Sequence, residues 1–160
     1  MPTLRWQSLT TLLLSVYGLG ASIYLTITHF EPKALACVSN SQFNCEKVTQ
    51  SPQSEIFGIP VAMLGLAFFV PMLVLCLPVA WRATQRWVHL VRLALSVTGV
   101  GMIIYLISAE LFVIKAICLW CSSVHIATLA LFIIIATASP IMLAPGYGEA
   151  DAVPADSEQS

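Results

Sequence analysis

"ICLWCSSVHIATLALFIIIATA", residues 117–138, contains no Asp, Glu, Lys or Arg and opens on two cysteines three positions apart. At 1.5 Å per residue, a helix over this stretch reaches across the roughly 30 Å hydrocarbon core of a bilayer. Three other runs share its character: Leu9 to Thr28, Phe57 to Ala80, and Leu93 to Ala109, the last preceded by the amphipathic Val88 to Arg92. The 160 residues are 58% hydrophobic and 9% charged, whereas soluble domains carry about a quarter charged residues. The expectation is an all-α integral membrane protein, with a four-transmembrane-helix bundle over residues 1–143. The tail from 144 to 160, acidic and without a basic residue, reads as a disordered cytoplasmic end. The formal net charge is −1, from seven basic and eight acidic residues with no basic block. Such a chain meets lipid rather than nucleic acid.

Several residues give detail to the bundle. Gly18 and Ser22 in the first run, and Gly99 and Gly101 in the third, are small enough to let helix backbones approach closely. Pro60 suits the first turn of the second helix, and Pro71 should kink its middle because it has no amide to donate. Arg5 precedes the first run and Arg82, Arg86 and Arg92 crowd the second connection, so both termini are placed in the cytoplasm by the positive-inside bias. The Phe30 to Ile56 loop and the Glu110 to Lys115 connection then face outside. "ALAC" at 34–37 offers small residues before a cleavage site, but the preceding apolar run exceeds a signal peptide's usual 7 to 15 residues and Glu31, Pro32 and Lys33 intervene. A retained first helix is the expectation.

This topology places four of five cysteines on one side. Cys37 and Cys45 lie in the long loop, Cys118 and Cys121 at the start of the fourth run, and Cys76 deep in the second, where it reads as a small buried apolar residue. The four outer cysteines admit three uses. Structural disulfides would tie the loop to the bundle. A zinc site would want a first spacing shorter than C-x7-C and a reducing compartment. Redox exchange uses the Cys-x-x-Cys spacing best, because a helix N-terminus near Ile117 favours a thiolate at Cys118 and the flexible loop can carry the second pair to it.

In this order and topology, "CVSNSQFNC" (37–45), "VTQSPQSEIFGIPVAMLG" (48–65) and "CLWC" (118–121) resemble the vitamin K epoxide reductase family in its bacterial form. The resemblance runs from Leu9 to about Ala138. It implies four helices around a quinone, ubiquinone or menaquinone, beneath an outer loop with a short interfacial helix. It also implies residence in a bacterial inner membrane. By the same resemblance Cys37 exchanges with a thioredoxin-fold partner, Cys45 passes electrons to Cys118, and Cys121 reduces the quinone. Ser51 matches the family's serine in the loop after the first pair. Some relatives carry a fused thioredoxin-like domain; here the partner is expected as a separate extracytoplasmic protein, and the product is disulfide bonds in exported proteins. Quinone-epoxide reduction is the alternative activity, and a non-catalytic scaffold stapled by disulfides is the alternative of another class.

Cys118, Cys121 and His125 fall at i, i+3 and i+7, on one face of a helix. His125 could therefore donate a hydrogen bond or a proton to a quinone oxygen, or be satisfied by a neighbouring helix or water. His29 and His89 sit at helix ends and are expected to be solvated, Glu110 and Lys115 read as boundary residues, and Trp120 reads as an interfacial anchor.

Overall fold

A computed structural model describes residues 2–37, 43–83 and 85–144. The tail expected to be disordered lies, from 145 onward, outside the described residues, as do positions 38–42 of the cysteine loop.

Six α-helices make up most of the described chain: α1 (Pro2–Phe30), α2 (Cys45–Thr49), α3 (Val61–Leu75), α4 (Pro78–Trp81), α5 (Arg86–Ser108) and α6 (Leu119–Met142). Three stretches, Arg5–Phe30, Arg86–Ile114 and Leu119–Met142, are long and apolar enough to cross a membrane. Their outward residues include Leu13, Ile104 and Ile126, all well over half exposed. A soluble fold would bury such side chains, whereas lipid tails receive them without cost.

The second apolar run departs from a single helix over 57–80. Glu55–Ile56 (β1) and Ile59–Pro60 (β2) pair as a minimal antiparallel hairpin. Phe57 (φ 55°) and Gly58 (φ 77°) form its turn, in the left-handed region that two-residue hairpins require. Pro60 therefore caps α3 rather than lying in its first turn. The helix continues through Pro71 to Leu75. It stops before Leu77, which is extended at ψ 144°, because a residue preceding proline, here Pro78, is pushed out of the helical region.

α1 packs on α3 and α6, and α5 packs on α6. Close approach depends on small residues at three of the four expected places. A Cβ on Gly18 would collide with the Phe69 ring, and one on Gly99 would stand 2.8 Å from Phe68 and 2.9 Å from Thr128. Ser22 lies against Gly65. Gly101 is the exception, with nothing within 4 Å of the position.

The middle of the bundle is an apolar cluster of Phe69, Met72, Cys76, Leu131 and Ile135. Cys76 is fully buried there, as its sequence position implied, although the hydroxyls of Ser15 and Thr11 also reach it. At the end away from the cysteine loop, the expected solvation of His89 fails, and Arg92 of the basic connection is buried as well. His89 is 2% exposed, with Nε2 2.9 Å from the Ala83 carbonyl. Arg92 is 1% exposed; it donates to the Ala80 carbonyl at 3.0 Å and lies 4.3 Å from the Trp81 ring centroid. Both turn inward because the segment before α5 offers partners: the Ala83 carbonyl to His89, and the Ala80 carbonyl and the Trp81 ring of α4 to Arg92.

Candidate functional site

Two segments distant in sequence are stitched together at the loop end of the bundle. Phe43 forms a parallel bridge with Ile117, and the Asn44 amide donates to the Ile117 carbonyl at 3.2 Å. Cys45 and Cys118, one cysteine of each pair, lie immediately beyond this stitch. Asn44 then caps α2 by accepting from the Lys47 amide at 2.9 Å, so Cys45 begins a helix and is 1% exposed. Cys37 and Cys45 are joined in a disulfide, with Cα atoms 6.1 Å apart. Cys45, Val48, Ile114, Ala116 and Cys118 form one buried cluster, with Cys37, Trp120 and Cys121 packed against it. The structure thus gathers all four cysteines singled out in the sequence.

The segment carrying Cys37 is held from α6 and α1. The Trp120 indole donates to the Ala36 carbonyl at 2.9 Å. Its ring packs 4.8 Å from that of Tyr24, whose hydroxyl accepts from the Ala36 amide at 2.7 Å. Trp120 is therefore a clamp on the first cysteine pair rather than a free interfacial anchor.

Cys118 occupies the N-cap of α6, and its sulfur accepts from the Cys121 amide at 3.3 Å. Cys118 and Cys121 are free thiols, the first fully buried and the second half-buried. The hydrogen bond from the Cys121 thiol, followed by that from its amide, holds Cys118 below its ordinary value, against burial and the Glu110 charge, which raise it. This is the electrostatics of a helix N-terminus, where unpaired amides stabilise negative charge.

Cys121, whose thiol reaches Cys118, also lines a cavity of about 340 Å³, within the range of small-molecule sites. The walls are mostly apolar: Phe68, Phe69, Leu95, Met102, Ile103 and Val124 among others. His125 joins Cys121 on this wall and is 8% exposed. No group among the described residues hydrogen-bonds its ring, and burial alone acts on it. A buried imidazole without a partner in an apolar cavity is a vacant polar contact for a ligand. Ser51 also lines the cavity, its hydroxyl donating to the Val48 carbonyl at 2.8 Å and keeping lone pairs free to accept.

The cavity wall also includes Thr49 and Gln53, and two residues that the sequence placed outside the site, His29 and Glu110. His29 is not solvated. Its Nδ1 lies 2.9 Å from the Thr49 carbonyl and its Nε2 3.5 Å from Glu55, tying the end of α1 to α2 and the hairpin. Glu110 is 6% exposed, buried where a boundary residue was expected. Lys115 is exposed as expected, in a left-handed conformation that reverses the chain between α5 and α6.

The residues fit a quinone. The cavity offers apolar walls for a ring, a thiol beside it, an unpartnered ring nitrogen for a quinone oxygen, and a hydroxyl able to accept from the reduced form. Comparison with curated proteins finds no match. The profile of the vitamin K epoxide reductase family matches residues 9–136, from α1 nearly to the end of α6 and through both cysteine pairs. A mostly helical chain with three span-capable helices, a disulfide and a Cys-x-x-Cys at an apolar cavity thus belongs to the vitamin K epoxide reductase family of membrane oxidoreductases.

Proposed function

We propose that this protein oxidises a separate thioredoxin-fold protein outside the membrane and passes the electrons through two cysteine pairs to a membrane quinone, so that exported proteins acquire disulfides. One observation carries the reading. A single buried cluster contains the Cys37–Cys45 disulfide and the Cys118 thiol, while Cys121, one helical turn on, opens into an apolar cavity with the unpartnered His125.

In this reading a thiolate of the partner attacks the outer disulfide at Cys37 and releases Cys45 as a thiolate, and the partner's second thiolate then resolves the mixed disulfide, leaving with its own disulfide and freeing Cys37. When the inner pair is a disulfide, Cys45 attacks Cys118 and releases Cys121, and Cys37 resolves the Cys45–Cys118 bridge, so that the outer disulfide is restored and both inner thiols are reduced. Oxidised outer and reduced inner cysteines, as described above, make a combination ready to accept from the partner and donate to the cavity. The bound quinone supplies a two-electron, two-proton acceptor, ubiquinone or menaquinone alike. His125 donates to a ring oxygen, the Ser51 hydroxyl is free to accept from a quinol hydroxyl, and the apolar walls exclude water.

The membrane arrangement that accompanies this function has α3 as a fourth crossing, both termini in the cytoplasm and the cysteine pairs on the outer face of a bacterial inner membrane. Residues 1–143 form the catalytic domain and the acidic tail takes no part. At 15 residues, α3 rises about 22 Å, and the hairpin before it with α4 after it extends the crossing. The test is to mix purified protein, a quinone and a pre-reduced thioredoxin-fold protein and to follow quinol. Stoichiometric quinol and partner disulfide are expected; partner oxidation that proceeds equally without quinone contradicts the reading.

A further inference from the structure

Glu110 is a buried acid that the relay does not yet use. It lies in the first turn of a π-helical segment, Ala109–Ile114, which closes α5. The Ala116 amide donates to the Glu110 carbonyl at 3.3 Å, a reach of six residues that widens this turn, and π-turns recur where function requires a side chain to be re-aimed. The carboxyl faces the backbone amide of Cys118, and its charge acts on both Cys118 and Cys121. It also lines the cavity with Cys121 and His125, and no Lys or Arg is among the lining residues. An acid kept in an apolar site without a cation is costly, and in a membrane protein such a group marks a proton path.

We propose that Glu110 is the proton acceptor of the inner dithiol, carrying the proton released by Cys118 to the oxygen of a quinone bound in the cavity. The proposal rests on the relay described above. Oxidation of the pair breaks two S–H bonds and forms one S–S bond, so two electrons and two protons must pass to the quinone and yield quinol. As the bond between the Cys118 and Cys121 sulfurs forms and their electron pair passes to the quinone, the Glu110 carboxylate takes the Cys118 proton and gives it up to the cavity. The second proton leaves the Cys121 thiol, which lines the cavity itself.

The other titratable groups around Glu110 do not offer this route. On α2, Glu46 and Lys47 are exposed to solvent. On α1, His29 is held by the Thr49 carbonyl and Glu55. On α6, His125 lies a full turn beyond Cys121, on the far side from Cys118. On α5, His89 and Arg92 sit at the opposite end of the helix and Tyr105 is exposed.

The test uses the full chain with Glu110→Gln and Glu110→Asp. In one arm, without quinone, Cys37, Cys45 and Cys76 are replaced by Ser and the ultraviolet absorbance of the remaining thiolates is titrated. Glu110→Gln removes a negative charge beside Cys118, so the first thiol is expected to ionise at lower pH. In the other arm, with all cysteines present, quinol formation is expected to fall roughly a hundredfold, the scale of a lost proton-transfer group. The solvent deuterium isotope effect should rise, and Glu110→Asp should recover part of the rate. A thiol made more acidic in a slower enzyme is a pairing that a packing role does not produce. Wild-type turnover in Glu110→Gln overturns the proposal. So does lost turnover with an unmoved titration and no recovery in Glu110→Asp, which marks a fold defect. Wild-type protein that forms no quinol refutes the relay instead, and the titration arm is read without it.

Discussion

His125 and Trp120 sit about one helical turn or less from Cys121, on its two sides, and in the proposed relay they serve different substrates. His125 is buried at the cavity with nothing to bond, so His125→Phe keeps the volume and removes only the polar contact. The quinone KM is expected to rise about tenfold, the scale of one hydrogen bond to a ligand, while disulfide exchange with the thioredoxin-fold partner keeps its rate; an unchanged KM returns His125 to the packing. Trp120 instead holds the Ala36 carbonyl and the Tyr24 ring. Trp120→Phe should slow exchange with the protein partner several-fold and leave quinol formation from a small dithiol intact. Stopped-flow exchange and steady-state quinol assays separate the two. The cysteines and His125 were legible in the sequence because their chemistry is written in residue type and in i, i+3, i+7 spacing. Glu110 and His29 were not, because an acid or histidine at the end of an apolar run reads as a solvated boundary. Glu110 is turned inward by a π-turn, for which the residue pattern carries no period, and His29 by carbonyl and carboxylate partners 20 or more positions away.

At the scale of elements, close packing between helices rests on particular glycines. Gly99 faces Phe68 and Thr128, whereas Gly101, two positions on, faces open space. Gly99→Ala should destabilise by about 1–3 kcal/mol through overpacking, and Gly101→Ala should be neutral or stabilising by up to about 1 kcal/mol, since Ala is the better helix former. Thermal unfolding in detergent reads both, and equal melting temperatures would contradict the assigned faces of α5. The sequence marked all four small residues alike, because smallness is visible in a chain and a neighbour is not. The same limit explains the second apolar run. Its hydrophobicity was plain, but hydropathy does not distinguish a helix from the short hairpin at 55–60. The turn at Phe57 and Gly58, and the stop imposed by Pro78, are local backbone effects that an apolar count passes over. The long spans, by contrast, were readable nearly whole, since in lipid a helix of sufficient apolar length satisfies its own backbone.

At the scale of the whole molecule, the proposed relay is a path from an outer disulfide held by Trp120, through an inner pair at the N-terminus of α6, to a cavity that would receive electrons and protons together. The bridge between Phe43 and Ile117 joins the two halves of that path, and it pairs segments more than seventy positions apart, a contact that no local pattern in the chain discloses. Its direct test is quinol formation by purified protein from two donors, a pre-reduced thioredoxin-fold protein and a small dithiol, in wild type, Cys37→Ser and Cys121→Ala. The account predicts that wild type uses both donors, Cys37→Ser loses the protein donor but keeps the small dithiol, and Cys121→Ala loses both. Undiminished quinol formation in Cys121→Ala would contradict it.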